Sequence, residues 1–283
     1  MYVTLKEILK NTRRDKFAVG AFNIHCLEMV PAMIEAAKVK NSPIILQISP
    51  TTCKYIGAAL IGSIVKELAE ETGVNVTLHL DHTKDFATIK KAIDNGFSSV
   101  MIDASALPIE ENIKRTNEVV EYASKFGVSV ESELGTIGGT EEGVALNDGR
   151  IKYTLPEDAV RFIEATGIDA LAIAIGTSHG QYKSKAKLSF DVLKDIYDVT
   201  SIPLVLHGGT GVAEEDLKKC IAGGISKVNV GTELNVAWVT AAKKNFAGAK
   251  VNDSCRDFVI PSNHAVQKVI ENKIDVLGSA DRK

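Results

Sequence analysis

The chain has 283 residues, a formal net charge of −3 and 24% charged residues. With 45% hydrophobic residues it has the composition of a folded globular chain, not of a disordered one. No basic excess is present to hold nucleic acid or a membrane surface, and no apolar run approaches the ~20 residues that span a bilayer.

The elements follow in chain order. Thr4 to Glu7 forms a capping-box pattern that opens a short amphipathic stretch, and Met1 onward does not read as a signal peptide. Apolar or β-branched runs then recur at residues 18–24, 43–49, 75–82, 99–105, 128–135, 170–176, 203–209 and 226–232. Segments of helical periodicity lie at 27–40, 57–71, 85–96, 109–126, 156–166, 190–199 and 214–223, and a closing helix is expected at 262–276. Several strand runs are almost continuously apolar, as strands covered on both faces should be. Eight β-α units predict an α/β chain folded as a (β/α)8 barrel. The rival, a doubly wound open sheet, lacks its GxGxxG turn after the first strand. No linker-like segment interrupts the rhythm, so residues 1–283 read as one domain. Cys26, Cys53, Cys220 and Cys255 show no CxxC spacing and read as reduced thiols, which places the protein in the cytoplasm.

In such a barrel, chemistry sits at the C-terminal strand ends. Polar residues collect there: Asn23, Gln47 and Ser49, Asp81-His82, Asp103 and Ser105, Glu131 and Glu133, Thr177-Ser178-His179-Gly180, His207 to Gly211, and Asn229 with Gly231-Thr232. Each alone reads as a satisfied strand-end group, whereas the full ring reads as a site. His82, His179 and His207 follow the third, sixth and seventh strands, and three imidazoles with one open position suit a catalytic zinc ion. His25 could line the rim, His79 reads as a core residue or one behind the ligands, and His264 as a surface residue. The glycine-bearing turns at 208–211 and 229–232 let backbone N–H groups approach a phosphate. The loop from Thr136 to Lys152, with Gly138-Gly139 and Glu141-Glu142, reads as a mobile lid delivering a carboxylate. The segment from Thr177 to Lys187 also reads as mobile, with Lys183, Lys185 and Lys187 as a solvated run. Asp81, beside His82, either shuttles a proton or orients a ligand.

Together these residues resemble the class II, metal-dependent ketose-bisphosphate aldolases over essentially the whole chain. The matching motifs are Gly20-Ala21-Phe22-Asn23, Leu78-His79-Leu80-Asp81-His82, Val100 to Ser105, Glu131-Ser132-Glu133-Leu134-Gly135, Gly176-Thr177-Ser178-His179-Gly180, Leu206 to Gly211 and Lys227-Val228-Asn229-Val230. The resemblance implies a TIM barrel in which His82, His179 and His207 hold Zn2+, with Glu133 as an alternative ligand. It implies Asp81 as the proton-transfer acid/base and Glu141 as the lid carboxylate that handles the C3 proton. It places Asn23 among the substrate contacts, and Gly180, Gly208, Gly209, Thr210, Asn229, Val230, Gly231 and Thr232 around the dihydroxyacetone-phosphate half, with a monovalent cation (Na+ or K+) nearby. Arg256 matches an arginine that reaches the far phosphate from a neighbouring subunit of a homodimer or homotetramer. Here the chain departs from the family's Asp-Pro-Arg, having Asp253-Ser254-Cys255-Arg256. The implied activity is reversible cleavage of fructose or tagatose 1,6-bisphosphate to dihydroxyacetone phosphate and glyceraldehyde 3-phosphate, an aldehyde-lyase reaction of glycolysis and carbohydrate metabolism in which zinc polarises the C2 carbonyl. Three alternatives stand beside it: a related aldolase acting on a deoxy-ketogluconate phosphate, a non-catalytic barrel subunit stabilising a partner aldolase, and a sugar-phosphate isomerase or epimerase. A Schiff-base aldolase would need Lys227, but that residue should lie deep in the barrel, paired to a carboxylate.

Overall fold

The eight apolar runs pair side by side because, buried on both faces, they can satisfy their backbone only with one another. The computed structural model describes residues 1–141, 144–145, 152–180 and 186–283. Among these the strands are β1 (Val19–Asn23), β2 (Ile44–Ile48), β3 (Val76–Thr83), β4 (Ser99–Ile102), β5 (Ser129–Leu134), β6 (Gly138–Glu141), β7 (Val144–Ala145), β8 (Ala170–Ile173), β9 (Ser178–His179), β10 (Leu204–Leu206) and β11 (Ile225–Val230). Eight of them close a barrel in the order β1-β11-β10-β8-β5-β4-β3-β2. Every pair in it is parallel. The predicted (β/α)8 architecture is the observed one.

The helices are α1 (Leu5–Ile8), α2 (Thr12–Asp15), α3 (Val30–Val39), α4 (Pro50–Ile56), α5 (Ala58–Thr72), α6 (Phe86–Asp94), α7 (Ile109–Ser124), α8 (Pro156–Thr166), α9 (Phe190–Val199), α10 (Glu214–Ala222), α11 (Thr232–Phe246) and α12 (Arg256–Leu277). Their ends follow local chemistry. Thr4 and Glu7 form the capping box of α1. Asp85 and Ser189 accept the N3 amides of α6 and α9. Gly73 and Gly167 end α5 and α8 in the left-handed conformation.

Three differences from the sequence expectation have physical causes. The tail helix α12 starts six residues before Ser262 and carries Pro261 inside it; a proline reads in sequence as a helix start, yet here it is tolerated in the second turn. Helix α11 was not expected, because its apolar residues do not make one inward stripe: Leu234 and Ala242 are its buried positions. It lies along α12, with Trp238 Nε1 donating to Asn263 Oδ1 at 3.0 Å and Phe246 stacked on Phe258. The segment read as a long lid loop contains β6 and β7, which pair antiparallel, and β6 also pairs in parallel with β9. Residues 142–143, 146–151 and 181–185 lie outside the described residues, and with them Glu142, Lys183, Lys185 and the mobility expected for both segments.

The core has two parts. The larger fills the layer between strands and helices. The smaller plugs the barrel floor, where Leu5, Ile8 and Leu9 of the α1 segment meet Val19, Ala21, Ile45, Ala170, Ala172 and Val205. Burying Leu5 and Leu9 contributes ~1.5–3 kcal/mol each. Above that floor the barrel interior turns polar, and the strand ends carry the site.

Candidate active site

Asp81 and His82 are neighbours in β3, and a regular strand would turn them to opposite faces. The β3–β4 ladder passes from Leu80↔Val100 to Thr83↔Ile102, so β3 holds one extra residue there. His82 takes φ 42°. This bulge lets both side chains address the barrel mouth. Asp81 Oδ2 accepts from Gln47 Nε2 at 2.9 Å, and the same amide donates to Asn23 Oδ1 at 2.8 Å. Asn229 Nδ2 lies 3.5 Å from both Asp81 oxygens.

The three expected imidazoles converge. Ring centroids of His82 lie 4.8 Å from His179 and 4.6 Å from His207, and one ligand nitrogen from each falls within 4.8 Å of the others. His82 Nδ1 contacts Asp103 Oδ2 at 3.2 Å and His207 Nε2 contacts Glu131 Oε1 at 2.9 Å. A carboxylate can only accept, so each of these ring nitrogens carries the proton. That leaves His82 Nε2 and His207 Nδ1 facing each other at 2.8 Å, a spacing that one bridging proton on His82 accounts for; a cation in its place would meet a lone pair from each ring. His179 Nε2 and one Glu133 oxygen are buried with no hydrogen-bond partner among the described residues. Glu133 Oε2 lies 3.7 Å from His207 Nδ1. Ring nitrogens and a carboxylate oxygen converging on one point fit a divalent cation held by nitrogen and oxygen ligands.

The electrostatics agree. Asp81, Asp103, Glu131 and Glu133 crowd the mouth, and one buried lysine, Lys227, faces them. Burial pushes Glu133 well above the usual carboxylate range, and Asp103 adds to the rise. Burial also raises Asp81, against the opposing pull of His82 and Lys227. Asp103 feels burial too, but the hydrogen bond and charge of His82, with bonds from Ser105, hold it below the ordinary carboxyl value. Burial depresses His179 and His207, with His82 adding to both, which keeps these rings in the neutral form that binds metals.

The glycine-bearing turns pack against one another. Gly208 has φ 66°, and a Cβ there would lie 2.4 Å from Ser178 O. A Cβ on Gly231 would lie 2.7 Å from Asn23 Oδ1. The hydroxyls of Thr177 and Thr210 are buried without a partner among the described residues, so two donors wait at the loops after β8 and β10. Gly180 closes β9 with φ 85°, and Gly209 N bonds Asn229 O at 2.9 Å. Val230 faces outward into the strand–helix core, so only its backbone can meet a ligand. Thr232 opens α11.

Other expected residues fall as follows. Glu141 ends β6, and Gly139 of the same strand pairs with His179. Arg256 is exposed at the start of α12 on Ser254 and is not brought to the histidines within this chain. His79 is fully buried on Ser99, His25 bonds Gly231 O, and His264 is exposed. Lys227 has no exposed surface and pairs with Glu131, as a lysine deep in the barrel should. The sequence places Gln47, Asp103, Ser105 and Glu131 in the polar ring without marking their individual roles, and does not single out Lys84, which with Ser105 lines a narrow crevice beside His82, Glu133 and His179. The signal for Glu131 was present: it stands two residues before Glu133, on the same strand face.

A family model for class-II fructose-bisphosphate aldolase matches residues 3–282. The chain belongs to the class II fructose-bisphosphate aldolase family. That makes it a lyase of a metal-dependent family. It is 42% identical to a fructose-bisphosphate aldolase of Staphylococcus aureus over 99% of this chain and 98% of that one. It is 39% identical to the 6-phospho-5-dehydro-2-deoxy-D-gluconate aldolase of Bacillus subtilis, over 99% of this chain and 97% of that one. Among solved structures, the YdjI aldolase of Escherichia coli K12 superposes with a TM-score of 0.88 at 32% identity, covering 99% of this chain and 98% of the other. No helix among the described residues is long and apolar enough to cross a membrane.

Proposed function

We propose that this aldolase cleaves a ketose 1,6-bisphosphate, fructose or tagatose, at C3–C4 with Zn2+ held by His82, His179 and His207 and with Glu133 as an alternative ligand. The observation that carries the reading is the meeting of three imidazoles, with a buried carboxylate, Asp81, on the residue adjacent to one of them. When bound, the ion supplies Lewis-acid polarisation of the ketose carbonyl.

The chain's own residues supply the rest. Asp81 takes the C4 hydroxyl proton; its burial favours proton uptake, and the Gln47 amide holds the carboxylate in place. The C3–C4 bond then breaks, the aldehyde half leaves, and Glu141 returns a proton to C3. Thr210, Gly208, Gly209, Gly180 and the backbone at Asn229, Val230, Gly231 and Thr232 hold the C1 phosphate, with Asn23 beside them. The partnerless Thr177 and Thr210 hydroxyls support this placement. A monovalent cation, Na+ or K+, is proposed near that phosphate.

We further propose one domain, a cytoplasmic location consistent with four free cysteines, and a homodimer or homotetramer. Exposed Val236, Val239 and Phe246 on α11 give a second copy an apolar face to cover. In that assembly Arg256 would meet the far phosphate of a neighbouring subunit.

The test is cleavage of fructose 1,6-bisphosphate, tagatose 1,6-bisphosphate and 6-phospho-5-dehydro-2-deoxygluconate by zinc-loaded protein, with a chelated control. Preference for a bisphosphate supports the reading. Preference for the gluconate derivative moves the chain to the alternative that the B. subtilis relative supports. Product analysis separates cleavage from isomerisation. Full activity after exhaustive chelation overturns the metal assignment.

A further inference from the structure

Among the described residues, Lys227 is a buried charged group beside the site that the proposed mechanism leaves without a task. It sits on β11 in register with Val205 of β10 and Val19 of β1, one inward-facing step below His207. Its Nζ reaches across the barrel to β5, 2.9 Å from Glu131 Oε2 and 3.2 Å from Oε1. Glu131 Oε1 is in turn 2.9 Å from His207 Nε2. Lys227, Glu131 and His207 all have 0% exposure.

We propose that Lys227 is a positioning residue that, through Glu131, fixes the His207 ring in the tautomer that leaves Nδ1 as a lone pair facing the metal site. The proposal rests on the metal-site reading above and adds a member to it.

The need for such an anchor is visible in the surroundings. Glu131 Oε2 also lies 3.7 Å from His79 Nε2, a buried nitrogen with no hydrogen-bond partner among the described residues. A carboxylate free to turn could shift its acceptor oxygen from His207 to His79. An ammonium against both oxygens opposes that turn, because rotation would break one of its two close contacts. His207 then keeps Glu131 as the acceptor of its Nε2–H and with it the Nδ1 lone pair. Groups behind a metal-binding histidine fix its tautomer and orientation, and their loss typically costs 10–100-fold in metal affinity. The His82 Nδ1–Asp103 bond serves as an internal comparison, since among the described residues Asp103 makes no hydrogen bond or ion pair with Lys227.

The experiment uses the full chain and two readouts. Zn2+ affinity is measured by competition with a chelator, and imidazole tautomers by 15N spectra of histidine-labelled protein. Wild-type protein should bind zinc with His207 protonated at Nε2. Lys227→Met, checked for folding by its thermal transition, should weaken zinc binding about 10–100-fold and erase the single His207 tautomer while His82 keeps its own. Lys227→Met/Glu131→Gln removes the buried charge imbalance while leaving an amide acceptor, and should weaken zinc binding about tenfold. A folded variant of either kind that keeps wild-type affinity and wild-type His207 signals overturns the proposal. Should neither variant fold, the wild-type spectrum decides: His207 protonated at Nδ1 overturns it. A wild-type chain that binds no divalent cation sinks the underlying metal reading, and is distinguishable because it fails before any variant is made.

Discussion

The inside of the barrel mouth and the connections that surround it are built on different principles. On the strands, a chain of polar side chains is held by neighbours: Gln47 by Asn23 and Asp81, His82 by Asp103, His207 by Glu131 and Glu131 by Lys227, although one Glu133 oxygen has no partner among the described residues. In the connections, donors such as the Thr177 and Thr210 hydroxyls are buried without partners, and Arg256 stands exposed at a helix start. A side chain fixed by its neighbours costs little further entropy when a ligand arrives, whereas one that waits for the ligand gains its partner only then. The strand layer is therefore suited to the bond-breaking step, and the connections to gripping the phosphorylated substrate as it arrives.

Substitutions can break that division. The largest effect is expected at the strand layer. His207→Ala should lose stoichiometric zinc and lower kcat/KM by about 10^3-fold or more, since Lewis-acid stabilisation supplies several kcal/mol; metal analysis and steady-state kinetics check both. Asp81→Ala should keep its metal and lower kcat by about 10^2–10^4-fold. An Asp81→Ala enzyme with near-normal kcat would remove it from the proton transfer. In the connections, Thr210→Val should raise KM for the phosphorylated substrate about tenfold or more while changing kcat little, as loss of a hydrogen bond to a charged group costs ~1.5–3 kcal/mol. Arg256→Ala should have the smallest effect, a rise in KM of a few fold confined to substrates with a far phosphate. A large kcat loss from either connection variant would show that the two regions are not separable.

What the sequence made legible follows the same line. The eight strands were readable because β-branched runs buried on both faces have few alternatives, and Pro156–Thr166 and Phe190–Val199 because their periodicity starts and stops with the helix. The three histidines and Asp81 were readable because strand ends of a barrel converge. Helix α11 was not, because its buried positions, Leu234 and Ala242, are too few to mark an inward stripe. The supporting roles of Asp103 and Glu131 were not, because a carboxylate at a strand end looks the same whether it binds a ligand or holds a histidine. The bulge at His82 was not, because a one-residue insertion in a ladder depends on the partner strand and leaves no local pattern.

That bulge has a thermodynamic consequence. A non-glycine residue at φ 42° sits in the left-handed region, where strain is of order 1–3 kcal/mol, toward the low end for histidine. In ordinary extended backbone, replacing a residue by glycine destabilises a protein more than replacing it by alanine, by about 0.5–1 kcal/mol. At position 82 the order should invert: metal-free His82→Gly should resist urea better than His82→Ala, although neither holds zinc by this residue. The His82 conformation is thus maintained against a standing preference of the backbone, and a cation binding only the folded form would offset what the backbone gives up.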